Sequence, residues 1–283
     1  MLTGTRSPIR PFEGGRRRGR GGGEKKPRRT GRLILLIVSA ILLVLLAAAV
    51  YYVSTPYKPS AEAEAAMKSD QSVAVSQTDD WIEFEPLAAS GAANAAKQPG
   101  VIFYPGGRVK PEAYAVFARD LAETGRHVFV IKMPFNFAFL GQNEAENVYK
   151  KYPDESFVLG GHSLGGPFAA RFAAAHPDQV AGIFFLASYA ESKGDLSRAK
   201  IPALSITASN DKVLNKDSYE KGRAYLPKDA RYEVIEGGNH GQFGSYGQQG
   251  KDGKATLSGA EQRKQTVSLI SAWLDAFPAA SGK

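Results

Sequence analysis

Phe157-Val158-Leu159-Gly160-Gly161-His162-Ser163-Leu164-Gly165-Gly166-Pro167 is the stretch whose reading decides the fold. Phe157–Leu159 is a short apolar run of the kind that forms a buried strand, and Pro167–Ala175 reads as an Ala/Phe-rich helix. Between them stands G-x-S-x-G. The letters alone are a weak signal in a glycine-rich chain, and a turn without chemistry would spell the same. The flanking strand and helix turn it into a candidate nucleophile elbow, where crowding requires small residues two positions either side of the serine. Gly161 and Gly165 meet that requirement.

A serine hydroxyl is a poor nucleophile until a base takes its proton. The chain has four histidines. His162 lies inside the elbow, His127 starts a strand, and His176 ends a helix, where a cation suits the helix dipole. His240 follows the run Tyr232–Ile235 in a Gly-rich turn, Gly237-Gly238-Asn239-His240, and is the candidate base. It needs an acceptor to hold its tautomer. Asp211 follows the run Leu204–Thr207, at the sheet edge where ligands of open α/β sheets bind, and is the candidate. Asp217 and Glu236 are the reserve carboxylates. Donors for a developing oxyanion are expected from the backbone N–H of Leu164 and from Tyr104-Pro105-Gly106-Gly107, with Gly107 favoured and Gly106 or Arg108 beside it. An ordinary Pro-Gly turn would read alike.

Working outward, Val73 and Val75 alternate with polar residues, and Trp81, Ile82 and Phe84 follow a Thr-Asp-Asp turn, which predicts a hairpin. Val101–Tyr104, Val128–Ile131 and Ile183–Leu186 are further buried strands. Pro111–Ala122 and Glu144–Tyr152 read as helices. The last helix opens with a capping box, Ser258 and Glu261, and carries Val267, Ile270, Leu274 and Phe277 on one face. Strands alternating with helices predict an α/β fold with a mostly parallel central sheet and helices on both faces.

With these residues in place, residues 71–278 resemble the α/β-hydrolase superfamily, in particular the compact bacterial dienelactone-hydrolase-like group. The resemblance rests on Tyr104–Gly107, Gly160–Gly166, Asn210-Asp211 and Gly237–Tyr246, and on the chain order Ser163, Asp211, His240. It implies a Ser-His-Asp hydrolase without a cofactor or metal. Dienelactone hydrolases use a Cys nucleophile, and this chain has no cysteine, so a dienelactone substrate does not follow. The connection between Leu186 and Leu204 is too short for a large lid domain. A modest ester or thioester is the expected substrate. Phe135, Phe137 and Phe139 follow a strand at the same edge and are the candidate acyl-pocket residues. An acyltransferase using the same triad, and a non-catalytic scaffold of the same fold, are the alternatives.

The N-terminal quarter differs in kind. The net charge of +8 divides into +9 on residues 1–32, which hold eleven basic and two acidic side chains, and −1 on the remainder. A near-neutral remainder argues against a nucleic-acid groove there. Residues 1–32, rich in Arg and Gly, read as a disordered tail suited to anionic lipid. Residues 33–53 carry no charge and span a hydrocarbon core of roughly 30 Å. Tyr51 and Tyr52 stand at the far end, where an aromatic belt belongs, and the basic tail places the N-terminus in the cytoplasm. The expectation is a signal anchor with residues 71–283 as an extracytoplasmic catalytic domain. A signal cleaved near Ala47-Ala48-Ala49, releasing the domain, is the alternative. Residues 54–70 read as a short stalk with room for one helix.

Overall fold

Eight strands form one sheet, and three of the inner ones are buried along their whole length, because a strand covered on both faces has no polar side to show, while the edge strands keep exposed polar residues. In the computed structural model, which describes Met1 and residues 29–87 and 98–277, they are β1 Val73–Gln77, β2 Trp81–Pro86, β3 Gly100–Tyr104, β4 Val128–Ile131, β5 Phe157–His162, β6 Val180–Leu186, β7 Ala203–Ala208 and β8 Arg231–Ile235. The spatial order is β1-β2-β4-β3-β5-β6-β7-β8. The β1–β2 and β2–β4 pairs are antiparallel; every other pair is parallel. The expected hairpin is therefore β1–β2, and Thr78 closes its turn by accepting from the N–H groups of Asp80 and Trp81.

The helices are α1 Arg29–Ser54, α2 Ala61–Ala66, α3 Ala115–Glu123, α4 Ala145–Lys151, α5 Gly165–Ala175, α6 Lys216–Gly222 and α7 Gly259–Leu274. Alternate residues of a strand face opposite sides, and the core divides accordingly. Val101, Phe103 and Val158 pack with side chains of α3 and α7 on one face. Ile102, Tyr104 and Leu159 pack with those of α4 and α5 on the other. At the centre Gly160 lies opposite Phe184. A Cβ there would sit 2.1 Å from the Phe184 ring, so the glycine lets the ring cross the strand.

Two elements depart from expectation. Pro111–Ala122 is not one helix: a 3-10 turn, Pro111–Tyr114, precedes α3. α6 is not foreshadowed because its sequence, KDSYEKG, has no apolar stripe; it is capped by Asn215, whose side chain accepts from Ser218 N. The capping box of α7 is present as read.

Residues 55–70 are no free stalk; they are folded onto the domain. Tyr57 bridges Val109 in parallel, Ser60 N donates to Ser245 O at 2.7 Å, and Ala63 of α2 is fully buried. The Arg119 guanidinium donates to the carbonyls of Ala66 and Lys68 and to Asp70. The sequence Ala-Glu-Ala-Glu-Ala-Ala looks like a polar linker, but Ala63 and Ala66 share one helical face, three residues apart, and that face packs inward. Gly31–Ser54 is long and apolar enough to cross a membrane. The basic tail, residues 1–32, lies almost wholly outside the described residues.

Candidate active site

Each candidate residue is carried by the C-terminal end of a strand. β5 runs into the elbow, and Ser163 takes a left-handed backbone conformation, φ 50°, which costs a non-glycine residue of order 1–3 kcal/mol. The crowding read from the motif is there. A Cβ on Gly161 would lie 2.6 Å from Gly166 Cα, and one on Gly165 would lie 2.1 Å from the Tyr104 carbonyl oxygen. The turn is tied down by Ser163 N donating to Leu186 O at 3.0 Å and by the Ser188 hydroxyl donating to Ser163 O at 2.5 Å.

Asp211 and His240 are both buried, 5% and 1% exposed, and joined: His240 Nδ1 lies 2.8 Å from Asp211 Oδ2. A carboxylate only accepts, so Nδ1 carries the proton and Nε2 is left as an acceptor. The other oxygen of Asp211 accepts the N–H groups of Val213 and Leu214 at 2.8 and 2.9 Å. Burial pushes the Asp211 pKa up, but the His240 hydrogen bond and charge and the two backbone donors outweigh it and leave the carboxyl below its ordinary value. Asp217, in the first turn of α6, and Glu236 are exposed and take no part. The histidine loop is pinned through Asn239, which donates its N–H to Gln262 of α7 and accepts from the Gln262 amide, at 2.9 and 2.8 Å. Among the described residues His240 Nε2 is buried with no hydrogen-bond partner, so Ser163 Oγ is not bonded to it. His240 and Ser163 both line one cavity of about 210 Å³, together with Leu164, Pro167, Ala187, Tyr189, Val213, Leu214 and Asn215.

The N–H groups of the oxyanion-loop candidates are each accounted for. Pro105 has none. Gly106 N donates to the Tyr114 hydroxyl at 2.9 Å and Arg108 N to Asn136 O at 2.8 Å, so neither is free for a ligand. This corrects the reading of Gly106 as a donor. Among the described residues, the N–H groups of Gly107 and Leu164 have no partner. These two residues are neighbours: a Cβ on Gly107 would stand 2.8 Å from Leu164 Cδ2.

Tyr114 and His162 have roles that sequence reading missed. The Tyr114 hydroxyl, which accepts from Gly106, is also hydrogen-bonded to His162 Nδ1 at 2.7 Å. His162 is fully buried with its ring centroid 4.7 Å from that of His240. Burial, and then the neighbouring His240, hold its pKa well below the ordinary histidine value, so it is neutral. One hydroxyl thus ties the loop holding Gly107 to the turn holding Ser163. Tyr114 lies in the stretch Pro111–Ala122 that reads as a helix, and nothing in its surroundings in sequence marks the contact.

The expectation for Phe135, Phe137 and Phe139 is corrected. None of them lines the cavity beside Ser163. Phe137 and Phe139 pack on each other, and Phe139 reaches Phe168 with ring centroids 6.4 Å apart. Phe135 and Phe139 are exposed.

This sheet order and a serine elbow at its centre define the α/β-hydrolase fold. A model of the alpha/beta hydrolase family matches residues 100–264, and the chain belongs to that family. Solved structures agree in fold. A predicted CIB-like hydrolase from Thermoplasma acidophilum superposes with a TM-score of 0.54 at 16% identity, covering 71% of this chain and 99% of its own. A membrane phospholipase A, described as a bacterial virulence factor, gives 0.52 at 19% identity, covering 87% and 97%. The dienelactone hydrolase of Anabaena variabilis gives 0.52 at 15% identity, covering 74% and 99%. No curated protein matches the sequence.

Proposed function

We propose that the chain is a membrane-anchored serine hydrolase that cleaves an ester or thioester through an acyl-enzyme on Ser163. The observation that carries this reading is the buried Asp211–His240 pair, which leaves Nε2 unpartnered on a histidine that lines the same small cavity as Ser163.

Ser163 Oγ attacks the acyl carbon while His240 Nε2 takes its proton. The imidazolium is held by Asp211, which keeps Nδ1–H in place. The oxygen that gains charge is received by the N–H groups of Leu164 and Gly107, each worth about 3 kcal/mol of barrier in such a site. The tetrahedral adduct collapses and His240 returns the proton to the leaving alcohol or thiol. Water then attacks the acyl-enzyme with His240 as base, the carboxylic acid leaves, and Ser163 regains its proton. The walls formed by Leu164, Pro167, Val213 and Leu214 are apolar, and a cavity of about 210 Å³ suits a short acyl group.

Labelling with a fluorophosphonate tests the chemistry. The wild type is expected to label and Ser163→Ala not to. A folded wild type that does not label, or equal labelling of the variant, sinks the proposal. The anchor is α1, with the eleven basic residues of the tail on its cytoplasmic side. Protease added outside intact cells is expected to reach the domain and to leave the N-terminal tail protected. A mature chain beginning after Ala49 would overturn the anchor.

A further inference from the structure

We propose that the exposed loop Phe135–Leu140 is a lipid-contacting surface that seats the mouth of the Ser163 site on the bilayer, so that the substrate is an ester-bearing amphiphile taken from the membrane. This rests on the anchored-hydrolase reading above and adds the source of the substrate to it.

The loop is costly in two ways. Phe135, Phe139 and Leu140 are 69, 52 and 50% exposed. Among the described residues outside α1 and the terminal Met1, the only other exposed large apolar side chain is Val234. Burying such a side chain is worth about 1.5–3 kcal/mol. Phe135 and Asn136 are also held at φ 52° and 60°, a conformation that a bulky residue avoids. Exposure and strain in one apolar loop mark a surface with a use.

Position identifies the occupant. Asn136 O accepts from Arg108 N at 2.8 Å, so the loop is fastened one residue from Gly107. The Arg108 guanidinium donates to Thr55 O at 2.6 Å. Thr55 directly follows the last residue of α1, within about 4 Å along the chain. Whatever the direction of α1, a membrane-spanning helix ends at the water boundary, so Thr55 lies there. Arg108 then holds the Phe135–Leu140 loop and the candidate oxyanion loop close to that boundary. Aromatic side chains partition well into such an interface. The small acyl cavity takes a short acyl group, and the rest of the amphiphile stays with the lipid.

The chain has no cysteine, so one introduced thiol reports alone. Full-length Phe139→Cys and, as a control on β8 at the far edge of the sheet, Val234→Cys carry an environment-sensitive NBD label in nanodiscs of phosphatidylcholine and phosphatidylglycerol. The label at position 139 is expected to be blue-shifted and quenched severalfold by lipids spin-labelled near the headgroup, and that at 234 to behave as in water. A second arm uses Phe135→Ser/Phe139→Ser against one acyl group presented two ways. Hydrolysis of a long-tailed umbelliferyl butyrate in the disc should fall about tenfold, while p-nitrophenyl butyrate in solution stays within twofold. An unquenched label at 139, or equal loss on both substrates, overturns the proposal. The same sample reports disc retention and fluorophosphonate labelling. A chain that leaves the disc refutes the anchor, an unlabelled Ser163 refutes the hydrolase, and a retained, labelled chain with a water-exposed position 139 refutes this inference alone.

Discussion

Asp211→Asn separates orientation of the histidine from stability of the fold. In the wild type one carboxylate oxygen takes the N–H groups of Val213 and Leu214 at 2.8 and 2.9 Å, and the other takes His240 Nδ1–H at 2.8 Å. An asparagine must keep its oxygen on the two backbone donors, because its NH₂ would otherwise face two N–H groups. The NH₂ therefore points at His240 Nδ1, which becomes an acceptor, and the ring proton moves to Nε2. An Nε2–H cannot take the proton of Ser163. The expected loss in kcat/KM is roughly four orders of magnitude, about 5.5 kcal/mol of barrier. Stability should change by less than about 1 kcal/mol, since both backbone hydrogen bonds survive. Asp211→Ala orphans those two donors and should destabilise by about 2 kcal/mol or more. Rates of fluorophosphonate labelling and of butyrate ester hydrolysis, read beside thermal unfolding in the same nanodiscs, give both quantities. An Asp211→Asn enzyme within tenfold of wild type would mean that His240 is oriented by another group. Equal destabilisation by Asn and Ala would refute the inferred amide orientation.

Three other perturbations test separate parts of the structure. Tyr114→Phe leaves Gly106 N–H and His162 Nδ1 buried and unpaired, and is expected to cost about 2–4 kcal/mol in denaturant titration and to lower kcat more than it changes KM; unaltered stability contradicts the bridge. Ser163→Gly removes the strain of φ 50° and should abolish labelling while raising stability by about 1 kcal/mol, so a lowered melting temperature counts against stored strain. His127 stands between Glu83 and Glu155, at 2.9 and 3.0 Å. Burial pulls its pKa down, but the two carboxylates prevail and raise it from 6.5 to about 9, while the same contacts hold Glu83 at about 2 against its burial. The raised histidine stabilises fully below pH 6.5 and loses its contribution as pH rises through 9; the depressed Glu83 contributes above pH 4.5 and loses its share as pH falls through 2. His127→Gln should therefore destabilise by about 2 kcal/mol near pH 6, with the gap closing by pH 10; a gap independent of pH removes the ion pair as its cause.

What could be read in the sequence follows from the physics of a parallel sheet. Strands covered on both faces are contiguous apolar runs, so β3, β4, β5 and β6 are visible without any partner being known. Ser163, Asp211 and His240 each come shortly after such a run, and strand C-termini gather at one edge, so linear order alone brings the three near each other. The same rule misplaces Phe135, Phe137 and Phe139. They also follow a strand at that edge, but whether an apolar residue there turns into the cavity or away from it depends on backbone angles such as φ 52° at Phe135, which no composition encodes. Residues 55–70 fail for a related reason, since alanines at a buried helix face and alanines in a linker are the same letters.

The least legible feature is the allocation of three consecutive N–H groups in the oxyanion loop. Gly106 donates to Tyr114, Arg108 donates to Asn136, and Gly107 between them donates to nothing in the described protein. The two flanking bonds fix the plane of the middle peptide from both sides, so the free N–H of Gly107 needs no reorganisation when charge develops, which is the condition under which such a donor is effective. The Tyr114 bond also runs through His162 to the elbow, and the Arg108 side chain runs to Thr55 at the end of α1. The loop that would receive the oxyanion is thereby braced against both the turn bearing Ser163 and the point where the chain leaves the helix. A Cβ at 107 would press on the end of the Leu164 side chain, 2.8 Å away, on the residue whose N–H is the other unpartnered donor. Gly106, Gly107 and Arg108 thus have three separate N–H allocations, and only that of Gly107 is left without a partner among the described residues.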